Sequence, residues 1–229
     1  MRPVPQSHFH FPLTSLLGSE AAVRVLRELA LHGDELTTTI LSRRVGVTDQ
    51  AVRNALATLS DAGVLRRYGQ ARAAAYQLDA THPVARMLIA LFRAEDQRVK
   101  TIHEMLRQAA ERLHPRPLAV WMFGSTARHE DGVDSDLDLL LIVDDPDLTD
   151  LVGDAFREAL APVEEEHRLT ISVVPLTCED VVRLAGNDDP FWRAVIQDAF
   201  ALHGPRPESL VPGSRAGRSS AASLETRRG

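Results

Sequence analysis

The sequence predicts an α+β chain of two domains joined by a long helix, the second domain built around a mixed sheet. Three observations carry this. Formal charge is split along the chain: residues 37–80 hold six arginines against three aspartates, or +3, whereas residues 114–203 hold six arginines against nineteen acidic residues, or −13. Such a split suggests two modules, one tolerant of polyanions and one inclined to bind cations. Between them, residues 83–113 keep an unbroken helical period. Beyond residue 114 the pattern alternates between short apolar strands and amphipathic helices.

Length and composition narrow the class. The 229 residues suffice for one large core or two smaller ones, and 44% hydrophobic with 25% charged residues is the balance of an ordinary soluble globular protein. No apolar run is long enough to span a bilayer, and no charged-then-apolar signal opens the chain, so no membrane partner is expected. The single cysteine, Cys178, excludes an internal disulfide framework and fits a reducing, cytoplasmic location.

Residues 1–18 carry proline without helical period and are expected to be an extended arm, in which His8 and His10 form a lone, weakly supported metal-clip pair. From Ser19, Ala22, Val25, Leu26 and Leu29 fall on one helical face, and Gly33 stops the helix. The run "TTTILSRRVGVTDQAVRNALATLSDAGVL" gives a helix, a turn at Gly46, and a second helix capped by Thr48 and ended by Gly63. "VLRRYGQARAAAYQLD" follows as a hairpin about Gly69 and Gln70.

Over residues 19–80 this order resembles the winged helix-turn-helix family, most clearly through "LSRRVGVTDQAVRNALATLSDAGVLRR". The resemblance implies double-stranded DNA as a partner: Thr48, Gln50, Arg53 and Asn54 would face bases, and Arg66, Arg67 and Arg72 phosphates. The same fold also serves as a protein-docking or dimerisation module. Residues 81–113 are expected to be a linker helix, begun at Pro83, with Val99, Ile102, Leu106, Ala109 and Leu113 spaced for a packing seam. That seam would pair two protomers into a homodimer or pack on its own chain. "HPRP" at 114–117 marks the boundary of a second domain, residues 114–203. A Gly/Ser/Arg-rich tail, 204–229, is expected to be disordered.

The second domain reads as strand "LAVWMF", a turn at Gly124 and Ser125, strand "LDLLLIV", helix 147–160, strand "RLTISVVPL", and helices near 177–186 and 190–202. Its informative stretch is "FGSTARHEDGVDSDLDLLLIV". Gly124 would let backbone approach a ligand, and Ser125 would open a helix suited to phosphate. Asp136 and Asp138 are expected on one face of the next strand, where like charges repel unless a cation lies between them. Asp134 reads as a turn residue; Trp121, Phe191 and Trp192 read as core or pocket wall; Cys178 reads as structural.

Glycine-serine, ten residues, then Asp-x-Asp resembles the minimal members of the polymerase β-like nucleotidyltransferase superfamily. The match runs through Phe123, Gly124, Ser125, Ala127, Arg128, Ser135, Asp136 and Asp138. The resemblance implies Mg²⁺ as cofactor, held by Asp136 and Asp138 as catalytic and metal residues. It implies ATP or another NTP as substrate, its triphosphate held by Gly124, Ser125 and Arg128, and transfer of a nucleoside monophosphate to a hydroxyl. Minimal members include antitoxins that adenylylate a partner toxin, so a protein acceptor is among the expected partners; larger relatives modify aminoglycosides. The family usually adds a third carboxylate from a later strand, and here Ser172 stands at that position. A hydroxyl cannot serve as base at neutral pH. A transferase, a nucleotide-sensing transcriptional regulator with impaired chemistry, and a structural adaptor all remain open readings.

Overall fold

The computed structural model describes residues 7, 9–10, 19–70 and 74–210. Most of the expected arm, including His8, and residues 71–73 and 211–229 lie outside the described residues. The chain divides into two compact units, one of residues 1–101 with 129–133, the other of residues 102–128 with 134–229. Together they make an α+β protein with a mixed sheet. Among the described residues, no helix is long and apolar enough to cross a membrane.

The first unit opens with α1 (Glu20–His32), stopped where Gly33 adopts φ +82° and returns its N–H to Leu29. Strand β1 (Leu36–Thr37) leads into α2 (Thr38–Val45), and α3 (Asp49–Asp61) follows a turn at Gly46, φ +68°. Thr37 and Thr48 cap these two helices, each hydroxyl accepting a backbone N–H one turn on. Strands β2 (Leu65–Tyr68) and β3 (Ala75–Leu78) pair antiparallel, with β1 on the other side of β3. Val25, Leu29, Leu41, Val52, Leu56 and Phe92 are its fully buried centre.

Helix α4 (Pro83–Arg112) is continuous, and the division between units falls within it, at Thr101. Inside the first unit, Arg27 of α1 meets Glu95 of α4 in a bidentate pair, 2.7 and 3.1 Å, with both side chains almost entirely buried. The guanidinium also lies over the Phe92 ring, 5.3 Å from its centre. Beyond Thr101, the seam residues Ile102, Leu106, Ala109 and Leu113 are buried within the single chain. Among the described arm residues, the Ser7 hydroxyl and the Phe9 N–H both donate to Asp131, a carboxylate only 4% exposed.

The second unit holds a four-stranded sheet in the order β6 (Ile171–Thr177), β5 (Leu137–Val143), β4 (Ala119–Phe123), β7 (Phe200–His203). Strands β4 (Ala119–Phe123) and β5 (Leu137–Val143) are antiparallel, joined through the single turn of α5 (Gly124–Ala127), and β6 (Ile171–Thr177) runs parallel to β5. After a 3₁₀ turn, α6 (Thr149–His167) covers one face. It runs past Pro162 and beyond the expected end at 160. Glu164 accepts the Ile171 N–H at 2.8 Å and so binds the end of α6 to β6. Helices α7 (Cys178–Gly186) and α8 (Pro190–Asp198) cover the other face; α7 begins with a reciprocal Thr177–Asp180 capping box.

Two expectations need correction here. The helix expected over 190–202 stops at Asp198, and Phe200–His203 form strand β7, antiparallel to β4. Ala199 has already turned to extended backbone, φ −67° and ψ 135°. At the end of β7, Gly204 takes φ +73° with the backbone of Leu118 and Ala119 where a Cβ would stand. Of the segment expected to be a disordered tail, Pro207–Leu210 form α9, one helical turn.

Candidate functional site

Strand alternation decides which side chains meet. Trp121 and Phe123 of β4, Leu140 and Ile142 of β5, and Val174 and Leu176 of β6 all join the core under α7 and α8. By the same alternation, Asp138 and Ser172 belong to that face. Asp138 is the direct partner of Phe123 on one side and of Ser172 on the other. The apolar face thus ends, at the start of β5 and β6, in a carboxylate flanked by a phenyl ring and a hydroxyl. Asp136, expected on the strand, precedes it: β5 begins at Leu137, and Asp136 is exposed in the loop.

Gly124 lies against this carboxylate. The chain leaves β4 at Phe123 and turns sharply at Gly124, φ +75°, into α5. A Cβ at Gly124 would stand 2.5 Å from Oδ2 of Asp138. Only glycine provides both the left-handed backbone and the space. Ser125 is half-buried in the same single turn, and Thr126 points inward, 2% exposed. Arg128, at the end of α5, donates to Asp198 at the end of α8 over 3.2 Å.

The electrostatics follow from this packing. Partial burial pushes the Asp138 carboxyl above its ordinary range; the neighbouring Asp136 pushes it further, while the Arg128 cation works in the opposite direction. Two hard oxygen donors whose mutual repulsion a cation would relieve suit Mg²⁺. Among the described residues, no group of three or more His, Cys, Asp or Glu is gathered as for a metal ion. The carboxylate set is therefore a pair, with Ser172 alongside.

The neighbouring residues take structural roles. Trp121 is fully buried and donates its indole N–H to the Pro205 carbonyl at 2.7 Å. Burial and then Asp144 raise the Cys178 thiol, which opposes nucleophilic use. Sequence reasoning did not find Asp198 as the partner of Arg128, and seventy residues separate the two. Nor did it separate Phe191, which remains 37% exposed, from buried Trp192.

In the first unit, the Thr48 hydroxyl is occupied as the α3 cap, accepting the Ala51 N–H at 3.2 Å. Gln50, Arg53 and Asn54 form an exposed chain of hydrogen bonds on α3: Arg53 donates to Gln50 at 3.0 Å and Gln50 to Asn54 at 2.8 Å. Arg53 also lines an open groove with Arg67 and Tyr76, between α3 and the hairpin. Arg66 is engaged locally, with Asp79 at 3.0 Å and Thr81 at 3.2 Å. Arg72 lies outside the described residues.

Comparison with known proteins bears on residues 69–166. No curated protein matches the chain. The solved structure "PigF with SAH" aligns with 79% of this chain at 15% identity and a TM-score of 0.22. The chain spans 64% of that protein, less than two thirds of its length, and a likeness at that score carries no argument. A family model described as "Putative nucleotidyltransferase DUF294" matches residues 69–166. That span, less than half of the chain, holds Gly124, Ser125, Arg128, Asp136 and Asp138 but ends before Ser172. The match supports a nucleotidyltransferase-type domain in this chain.

Proposed function

We propose that the second unit binds a magnesium–nucleoside triphosphate and transfers the nucleoside monophosphate, AMP from ATP, to a hydroxyl of a protein or small molecule, with pyrophosphate leaving and the hydroxyl proton passing to solvent. The observation that carries this reading is the contact of Gly124 with Asp138. A left-handed glycine pressed on a half-buried carboxylate is a costly arrangement, and that carboxylate stands beside a second acidic residue, Asp136. Asp136 and Asp138 would hold Mg²⁺, whose charge would offset that of the triphosphate in the transition state. Gly124 and Ser125 would seat the triphosphate. Arg128, restrained by Asp198, would supply a positive charge alongside.

The same reading takes the first unit as a winged helix-turn-helix that binds double-stranded DNA. It is supported by the α2–Gly46–α3 turn, the β2–β3 hairpin, and the exposed Gln50, Arg53 and Asn54 on α3. A cytoplasmic protein joining these functions would couple nucleotide chemistry to transcription.

Ser172 favours a second reading, in which the unit senses nucleotide and transfers slowly. Directly beside Asp138, it offers a hydroxyl where a base would be needed. One experiment separates the readings: the protein is incubated with each labelled NTP and Mg²⁺, with candidate partner proteins present. Label transfer supports the transferase; magnesium-dependent binding without transfer supports the sensor. Binding indifferent to magnesium, or unchanged in Asp136→Asn/Asp138→Asn, would overturn both.

A further inference from the structure

We infer that Phe191 is the stacking platform for the base of the nucleotide, an inference that rests on the reading of Gly124, Asp136 and Asp138 as a magnesium–triphosphate site. Phe191 lies in the first turn of α8, and Asp189 fixes that turn by accepting the Phe191 N–H at 2.8 Å. Its ring meets that of Phe123 edge-to-face, centres 5.6 Å apart at 88°. One contact therefore orients the ring, while 37% of the residue stays in solvent.

Phe123 places this exposed ring relative to the site. It precedes Gly124 in sequence and is the cross-strand partner of Asp138. The aromatic pair thus stands on the carboxylate face, at the same end of the sheet. Phe200 is the other exposed phenylalanine among the described residues. It pairs with Met122, whose alternation belongs to the opposite face, and stacks on His103 at 5.2 Å. Among the described residues, only Phe191 offers an open aromatic surface beside the carboxylates.

A phenyl face stacks on any base and offers no hydrogen bond. The ring therefore distinguishes a nucleotide from a bare polyphosphate, favours purine over pyrimidine by stacking area, and does not separate adenine from guanine. Calorimetry on the full chain with Mg-ATP, Mg-GTP and magnesium tripolyphosphate tests this. Phe191→Ala should weaken ATP and GTP by about 10- to 100-fold and leave tripolyphosphate unchanged. Phe191→Leu keeps apolar volume against Phe123 but lacks the π face, and should match Phe191→Ala; Phe191→Tyr should retain ATP. Equal weakening of all three ligands would show a merely structural ring. Undiminished ATP binding in Phe191→Leu, or wild-type protein binding tripolyphosphate as tightly as ATP, would also overturn the stacking role. Wild-type protein that binds neither ATP nor tripolyphosphate would overturn the triphosphate site itself.

Discussion

Ser172 and Asp138 are register partners on parallel strands, side by side on one face of the sheet. Placing a second carboxylate there should make the metal-free protein less stable, because like charges on neighbouring strands repel. In a thermal melt, Ser172→Asp should fall below wild type without magnesium and recover with it. Given an acceptor, transfer should quicken by about 10²-fold or more, the range of a positioned base. Ser172→Ala should change neither measurement. Brisk wild-type transfer that Ser172→Ala leaves intact would show that another group takes the proton.

Gly124→Ala should fail twice. The substitution strains a backbone at φ +75°, costing about 1–2 kcal/mol, and drives a methyl group onto the Asp138 carboxylate. Nucleotide binding should be lost and the urea midpoint lowered. Adding Asp138→Ala removes the collision but not the backbone strain. The double variant should therefore regain part of the stability and none of the binding. Full recovery of stability would show that the backbone conformation contributes nothing.

Asp79 gives the acid dependence of the first unit. Hydrogen bonds from the Thr81 hydroxyl and N–H, then from Arg66, hold its carboxyl at about 2 against an ordinary 3.8. A folded-state value below the unfolded one contributes stability that is present above the unfolded value and lost as pH falls through the folded one. Wild type should therefore weaken between about pH 4 and about pH 2 relative to Asp79→Asn. Parallel urea titrations across that window would check it; identical slopes would contradict it.

The same pair bears on DNA. If the first unit binds DNA as proposed, Asp79 would compete with phosphate for Arg66, and Asp79→Asn should tighten binding to every duplex. Arg66→Ala should weaken binding uniformly and lower the salt slope by about 1, whereas Arg53→Ala should cost discrimination by about 1–3 kcal/mol at one position. Selection from a random duplex pool supplies the test sequences. If nothing is enriched at low salt, the unit is a protein-contact module.

The buried Arg27–Glu95 pair makes a stability prediction. Glu95→Ala strands a guanidinium that is 5% exposed and should cost about 3–5 kcal/mol in urea unfolding. Arg27→Met with Glu95→Leu should recover most of that loss. A double variant no better than the single one would make the pair a net source of stability rather than a mutual neutralisation.

Much of this was legible because it is local. The cap at Thr48, the stop at Gly33, the turn at Gly46 and the long period of α4 are written within a few residues of where they act. The position of Ser172 was readable through the resemblance to the nucleotidyltransferase superfamily, and its pairing with Asp138 is a matter of strand register. What escaped was non-local. Strand β7 follows α8 after one residue, and Leu202 falls where a continuing helix would want an apolar residue, so the period ran on past the real stop at Asp198. The antiparallel pairing with β4 overrides that propensity. Asp198 with Arg128, and Ser7 with Asp131, are partners 70 and 124 residues apart, and nothing near either one announces the other. The open ring of Phe191 is a property of packing alone.

The tether at Asp131 has a practical corollary for anyone shortening this protein. A chain begun at residue 11 keeps every helix and strand described above, yet removes both donors that hold a carboxylate only 4% exposed. The orphaned charge would have to find water, and the connection from β4 to β5 would be released to let it do so. The loosened loop leads, five residues on, to Asp136. Trimming an arm that looks dispensable would thus disturb the acidic pair from a distance, and a truncated preparation found inactive would say nothing against the intact chain.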